Sequence, residues 1–273
     1  MNMAFKLFVA KNTLMGTLFP EKAAESAKTL FLTPRKYPMK DWEQALEQKG
    51  ERITLSNGLS ALRWGQSERK ILLVHGWESR ATQMAGFVEP LVKAGFQVIA
   101  LDGPAHGHSP GKQANPFMFA QAVQQTDAEL GPFEAIIGHS MGGSAVAIAL
   151  AEGVETKKAV LISSPSSIES VLNRFARFIG LPDKSRQRFV SLIEQKVGRS
   201  AESLEIAKLI QSTSSRGLVI HDKQDMEVPY GEAKAIAQNW KGATLLSTHG
   251  FGHRSILRQE SVWQSIMGFV LEA

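Results

Sequence analysis

The stretch FEAIIGHSMGGSAVAIAL, residues 133–150, decides how the chain is read. An apolar run, Ala135-Ile136-Ile137, stops at Gly138. His139, Ser140, Met141, Gly142 and Gly143 follow, and the chain then turns apolar again with many small residues. A strand-like run and a helix-like run are joined through one serine fenced by glycines. The pattern fits G-x-S-x-G, in which the serine occupies a strained strand-to-helix turn and its hydroxyl stands above the sheet. Side chains at the flanking glycines would collide with neighbouring backbone. The helix that follows points free N–H groups and its positive dipole end back at the serine.

The same alternation runs along the chain on both sides. Asn57-Gly58, inside RITLSNGLSALRW (52–64), is a hairpin signal. KILLVHG (70–76), FQVIALDG (96–103), FEAIIGHS (133–140), KKAVLISS (157–164), RGLVIHD (216–222) and ATLLSTHG (243–250) read as strands. Helices are expected at 81–95, 116–131, 142–153, 230–240 and 255–273, with Asn115 as N-cap and Pro116 at the first position of the second. A hairpin followed by strand–helix alternation predicts an α/β fold: about eight strands, mostly parallel, with helices on both faces.

Two segments break this rhythm. Residues 1–50 read as a helical N-terminal extension interrupted by Pro20, Pro34 and Pro38. Residues 166–212 hold no strand and read as a helical cap inserted into the domain of residues 51–273, with helices near 167–179, 184–197 and 201–211. Its apolar side includes Phe175 and Phe178, placed to line an acyl pocket or to pack the cap.

With 273 residues, 43% of them hydrophobic, the chain can bury a large core. It has no cysteine, which excludes disulfides, thiolate catalysis and Cys-type zinc sites. No metal-ligand spacing such as H-E-x-x-H occurs, so no metal is expected. No window carries the run of about 18 apolar residues that a spanning helix needs. The start of the chain lacks a sustained apolar region and a cleavage site, which points to the cytoplasm. Residues 1–40 hold seven Lys or Arg against two Glu, equal to the net +5 of the whole chain. Such a segment can approach anionic lipid, but its charges are spread out and read first as a solvated flank; no nucleic-acid partner is expected.

Four further stretches join the serine turn. LLVHGWES (72–79), ALDGPAHGHS (100–109), HDKQDMEVP (221–229) and HGFGHRSIL (249–257) each sit at the C-terminal end of an expected strand. Together the five resemble the loops of the α/β-hydrolase family in order, Ser…Asp…His, over about residues 52–273, with Ala105 where the family uses glycine. The resemblance implies the α/β-hydrolase fold and a serine hydrolase that needs no cofactor. It implies Ser140 as nucleophile, His253 as base rather than His249, and backbone N–H groups of Trp77 and Met141 as the oxyanion hole. Of Asp222 and Asp225, the D-x-x-V-P pattern implies Asp225 as the acid and Asp222 as a residue that orders the loop. Asp102, His106, His108 and Ser109 are expected to be structural. The expected substrate is a small-molecule carboxylic ester or thioester. Amidase, lactonase, perhydrolase and carbon–carbon hydrolase chemistry use the same residues, and a non-catalytic binding protein on this fold is the alternative from another class. Oligomeric state and natural substrate are not encoded in any motif.

Overall fold

The computed structural model describes residues 3–272. Three helices lead, α1 (Met3–Leu18), α2 (Pro20–Leu32) and α3 (Asp41–Gln48). Pro20 stands in the first turn of α2, where its missing N–H costs nothing. The hairpin β1 (Glu51–Thr54) and β2 (Ser60–Trp64) turns at Gly58, whose φ of +82° suits glycine. Then come β3 (Lys70–Val74), α4 (Ala85–Lys93), β4 (Gln97–Leu101), α5 (Pro116–Leu130), β5 (Phe133–His139), α6 (Met141–Ala151) and β6 (Thr156–Ile162). Helices α7 (Ile168–Phe178), α8 (Asp183–Val197) and the short α9 (Ile206–Leu209) follow. The chain closes with β7 (Arg216–Asp222), α10 (Tyr230–Asn239), β8 (Thr244–Thr248), α11 (Gly252–Ser255) and α12 (Glu260–Leu271).

The eight strands form one sheet in the order β1-β2-β4-β3-β5-β6-β7-β8. β2 runs antiparallel to β1 and β4, and every pairing from β4 to β8 is parallel. Ile71, Leu73, Ile137, Val160 and Ile220 pack with Phe87, Leu91, Val262 and Ile266 in one buried cluster. Each such side chain taken from water contributes about 1.5–3 kcal/mol before ordering costs. α6 is buried from Met141 to Leu150, which explains its glycines and alanines: a helix covered all round has no room for a bulky or polar face. Asn115 caps α5 through a bond from Met118 N–H at 2.9 Å. The closing helix, expected as one piece over 255–273, is α11, a 3₁₀ turn at Ile256–Arg258 and α12. The third cap helix is likewise divided, into 3₁₀ turns at Glu202–Leu204 and Ile210–Ser212 around α9.

The chain divides into two compact units. One is the sheet with its helices, Arg35–Ser166 and Ile206 onward. Residues 35–50, read from sequence as extension, group here: Trp64 Nε1 donates to Leu46 O at 3.1 Å, and buried Glu43 accepts from Thr82 Oγ1 at 2.9 Å. The other unit joins the chain up to Pro34 with Ser167–Glu205. In it Phe31 meets the rings of Phe175 and Phe189 edge-on at 4.9 and 5.7 Å. Asn12 Nδ2 donates to Ile179 O at 2.9 Å, and Ser185 Oγ to Gly16 O at 2.7 Å. A Cβ at Gly16 would lie 2.5 Å from Pro182 Cδ, so only glycine permits this approach. The Phe175 ring is thus committed to packing inside the helical unit, and that of Phe178 lies 4.8 Å from Phe5.

Candidate active site

The site is built on the C-terminal ends of β3, β5, β7 and β8. β5 ends at His139 and α6 starts at Met141, leaving Ser140 alone at the joint with φ +53° and ψ −123°. A non-glycine residue held there stores about 1–3 kcal/mol of backbone strain. Ser140 N–H donates to Ile162 O at 2.8 Å and ties the turn to β6. A Cβ at Gly138 would lie 2.6 Å from Gly143 Cα, and one at Gly142 would lie 2.4 Å from the carbonyl oxygens of Val74 and His75. Both neighbours are backbone and cannot move aside. The two glycines of the motif are therefore set by close approach, as its reading requires.

The structure brings Ser140, His253 and Asp225 into one hydrogen-bonded line. His253 Nε2 lies 2.9 Å from Ser140 Oγ, and His253 Nδ1 lies 2.7 Å from Asp225 Oδ2. A carboxylate only accepts, so the proton rests on Nδ1 and the Nε2 lone pair faces the serine hydroxyl. Asp225 Oδ1 accepts from the N–H groups of Glu227 and Val228, both at 2.9 Å. Burial works to raise the Asp225 carboxyl, but the bond and charge of His253, with the two backbone N–H groups, outweigh it and hold it below the usual carboxylate range. His249 lies apart, with its Nε2 3.3 Å from Gln224 Nε2.

Asp222 has different work. Its Oδ2 accepts from Thr248 Oγ1 at 2.7 Å and Phe251 N–H at 3.0 Å, and its Oδ1 from Gln224 N–H at 2.9 Å. It ties the end of β7 to the segment that carries His253. Burial opposes its charge, yet these bonds, Thr248 foremost, pull the carboxyl down to about 2. His139 Nε2–H donates to His253 O at 2.9 Å and fixes the histidine backbone from the other side. Burial, then repulsion from His253, lowers His139 to about 3, so it stays neutral while it does this. His221 Nε2–H donates to Val228 O at 2.9 Å and stands 3.4 Å from Asp225 Oδ2. Burial lowers this histidine too.

The loop after β3 carries Trp77. A Cβ at Gly76 would lie 2.9 Å from Ser140 Cβ, so this loop runs directly against the serine. His75 Nδ1–H donates to Gly76 O at 2.7 Å and its Nε2 accepts from Gly103 N–H at 3.0 Å. Full burial holds His75 well below its usual value, hence neutral. Glu78 has φ +52°. Its N–H donates to His106 Nε2 at 3.0 Å, while His106 Nδ1–H donates to Pro104 O at 2.8 Å. The Glu78 carboxylate receives Arg35 Nε and Nη2 at 2.8 and 2.9 Å and Arg35 N–H at 3.1 Å. Burial disfavours its charge, but these bonds prevail and lower the carboxyl. The Trp77 peptide thus has a fixed neighbour on each side. Further along this loop a cleft of about 120 Å³ is lined among others by Arg35, Lys36, Arg80, Glu78, Ser79 and His106, but not by Trp77 or Ser140. Arg35 is clasped on Glu78 and Arg80 lies 3.5 Å from buried Glu43, which leaves Lys36 as the cation in excess.

Asp102 orders its loop as expected, accepting from Ala81 N–H at 2.8 Å and His108 N–H at 3.0 Å. Both ring nitrogens of His106 are engaged, Nε2 with Glu78 N–H and Nδ1 with Pro104 O. Among the described residues no group of three or more His, Asp or Glu could hold a metal ion. Ala105 takes φ +62°, which explains why a glycine is the usual residue there. The Arg35–Glu78 clasp and the His139–His253 bond had no motif to reveal them; each joins residues more than 40 positions apart.

The chain belongs to the alpha/beta hydrolase family, whose profile matches residues 71–255. An esterase of Pyrococcus furiosus, Pf2001, has the same fold, with a TM-score of 0.65 and 21% identity over 88% of this chain and 97% of that one. An esterase of Exiguobacterium antarcticum matches with a TM-score of 0.62 and 17% identity over 82% of this chain and all of that one. A 2-hydroxy-6-oxononadienedioate/2-hydroxy-6-oxononatrienedioate hydrolase of Escherichia coli is 32% identical over 143 residues, 48% of this chain and 46% of that protein. A serine hydrolase-like protein of Dictyostelium discoideum is 26% identical over 52% of this chain and 39% of its own length. The match thus spans less than half the length of these two relatives.

Proposed function

We propose that the protein is a serine hydrolase that cleaves a carboxylic ester or thioester through Ser140, His253 and Asp225. The observation that carries this reading is the hydrogen-bonded line from Ser140 Oγ through His253 to Asp225 at 2.9 and 2.7 Å. In it Ser140 Oγ attacks the acyl carbon as His253 Nε2 takes its proton. Asp225 then faces an imidazolium and stabilises it, while its bond to Nδ1 keeps the ring in the tautomer that can accept. The oxygen of the tetrahedral intermediate takes hydrogen bonds from the N–H groups of Met141 and Trp77, the first backed by the N-terminus of α6. His253 returns the proton to the leaving group, and a water activated by the same nitrogen releases the acid from Ser140.

The test is a panel of p-nitrophenyl esters and acyl thioesters of graded length, with a fluorophosphonate probe, on wild type and Ser140→Ala. Wild type labels one to one and cleaves part of the panel; Ser140→Ala does neither and keeps its melting temperature. Undiminished turnover in Ser140→Ala would overturn the reading, and an unlabelled wild type would point to a binding protein on this fold. A second reading draws on the basic lining, Arg35, Lys36 and Arg80, of the cleft on the loop after Trp77. The E. coli relative is named for a dicarboxylate substrate. Carbon–carbon cleavage of such a substrate would use the same residues, and adding a vinylogous diketo-diacid to the panel separates the two.

A further inference from the structure

Helix α1 packs by one face and leaves a second, apolar face exposed. Along MAFKLFVAKNTLMGTL, the face with Asn12, Thr13 and Gly16 makes the bonds and close contacts to Ile179, Gly180, Pro182 and Ser185. At about 100° per residue, Met3, Leu7, Leu14 and Leu18 fall within an arc of about 60° on the opposite side. Those four side chains are 70, 64, 61 and 59% exposed. Phe8, Phe19 and Leu30 are exposed as well, so seven of the twelve large exposed hydrophobics of the described chain belong to α1, α2 and the residue between them. Folding does not account for such a stripe; burying it against something else would.

The charges around the stripe decide what covers it. Lys6 and Lys11 flank it on either side, about 60° from its edges or closer. α1 contains no acidic residue. Among the described residues neither lysine forms an ion pair. Just past the helix, Lys22 Nζ lies 5.7 Å over the Phe19 ring. A second copy of this face would bring the α1 lysines together across the seam with no carboxylate in either α1 to pair them. A bilayer rich in anionic lipid receives the leucines among its acyl chains and the lysines among its head groups. No described helix is long and apolar enough to cross a membrane.

We infer that the Met3–Leu7–Leu14–Leu18 face of α1, with Lys6 and Lys11 at its rims, is a docking surface for an anionic membrane. It stands apart from the hydrolase reading and does not depend on it. Flotation of the full chain with phosphatidylcholine vesicles, with and without equal phosphatidylglycerol, tests it at 0.1 and 1 M NaCl. Wild type floats with the anionic vesicles at 0.1 M salt and largely stays behind with neutral vesicles or at 1 M. Leu7→Glu with Leu14→Glu, at exposed positions, lowers partitioning by at least a hundredfold while circular dichroism is unchanged, since each buried leucine is worth about tenfold or more. Lys6→Gln with Lys11→Gln lowers binding to anionic vesicles by about thirtyfold and leaves neutral vesicles unaffected. Absence of wild type from the anionic vesicles at 0.1 M salt overturns the proposal. So does equal binding by the leucine pair variant and wild type. A concentration-dependent dimer that the leucine variant dissociates, without vesicle binding, assigns the face to a second copy and likewise overturns it.

Discussion

Two aspartates three residues apart carry different loads, and single substitutions separate them. Asp225 meets His253 through Oδ2 and two backbone N–H groups through Oδ1. In Asp225→Asn the amide oxygen keeps the backbone bonds and its NH₂ faces Nδ1, forcing the ring proton to Nε2. That is the tautomer that cannot accept from Ser140, and the loss in the serine protease precedent is about 10⁴-fold in turnover. Asp225→Asn therefore loses ester turnover by orders of magnitude with a small change in stability. Asp222 touches neither Ser140 nor the His253 ring, and its bonds hold the histidine segment to β7. Asp222→Asn costs about 1.5–3 kcal/mol of stability at pH 7, the scale of hydrogen bonds to a charged group. Its carboxyl falls from 3.8 to about 2 on folding. A depressed acid stabilises above its unfolded pKa, so the gap between wild type and Asp222→Asn is full above about pH 4 and closes as pH falls through about 2. Melts across pH 2–7 check the sign; a gap that widens on acidification, or an Asp222→Asn enzyme that is stable but inert, contradicts the assignment.

At the level of elements, the serine turn is the part with least freedom. Gly142 sits where a Cβ would press to 2.4 Å on the carbonyls of Val74 and His75, at the end of β3 and just past it. Gly142→Ala must push α6 away from β3, at about 1–3 kcal/mol. The same shift carries the Met141 peptide away from Ser140, and displacement of about 1 Å costs about a hundredfold in rate. Denaturant unfolding and ester turnover should fall together in Gly142→Ala; a variant with native stability and rate would show that the turn yields. The central strands β3 to β7 were legible because each carries a continuous apolar run, the signature of a strand covered on both faces, and the β1–β2 hairpin was legible from Asn57-Gly58. Ser140, Asp225 and His253 stand one, three and five residues past the ends of β5, β7 and β8, so no common offset marks them, and it was the resemblance of their loops to the family's that pointed to each. The break at Gln259 was not legible. It follows from the Trp263 Nε1 bond to Leu257 O at 2.8 Å and from a 3₁₀ turn, neither of which alters hydrophobic periodicity. The clasp of Arg35 on Glu78 was equally silent, since an arginine in a linker and a glutamate in a loop carry no spacing that pairs them.

For the whole molecule, the largest departure from the sequence reading is the partner of the N-terminal helices. Local patterning announced α1 and α2 as helices, but no periodicity tells which distant face a helix covers. They join α7 and α8, about 167 residues away in the chain, in a unit separate from the sheet. That unit depends on both halves: α2 supplies Phe31 to the rings of Phe175 and Phe189, and α1 supplies Asn12 and Thr13 to the carbonyls of Ile179 and Gly180. A chain beginning at Arg35 keeps Glu78's arginine, Ser140, Asp225 and His253, all of which lie in the sheet unit. It leaves α7 and α8 with an uncovered apolar side, and two helices of 11 and 15 residues are marginal without tertiary packing. Limited proteolysis of the shortened chain should cut within 167–205 at protease levels that leave the full chain intact. Labelling of Ser140 by a fluorophosphonate should persist in the same sample. Protection of 167–205 after removal of α1 and α2 would show that α7 and α8 do not need them. Loss of labelling together with a global loss of structure would show that the sheet unit, too, relies on the first 34 residues.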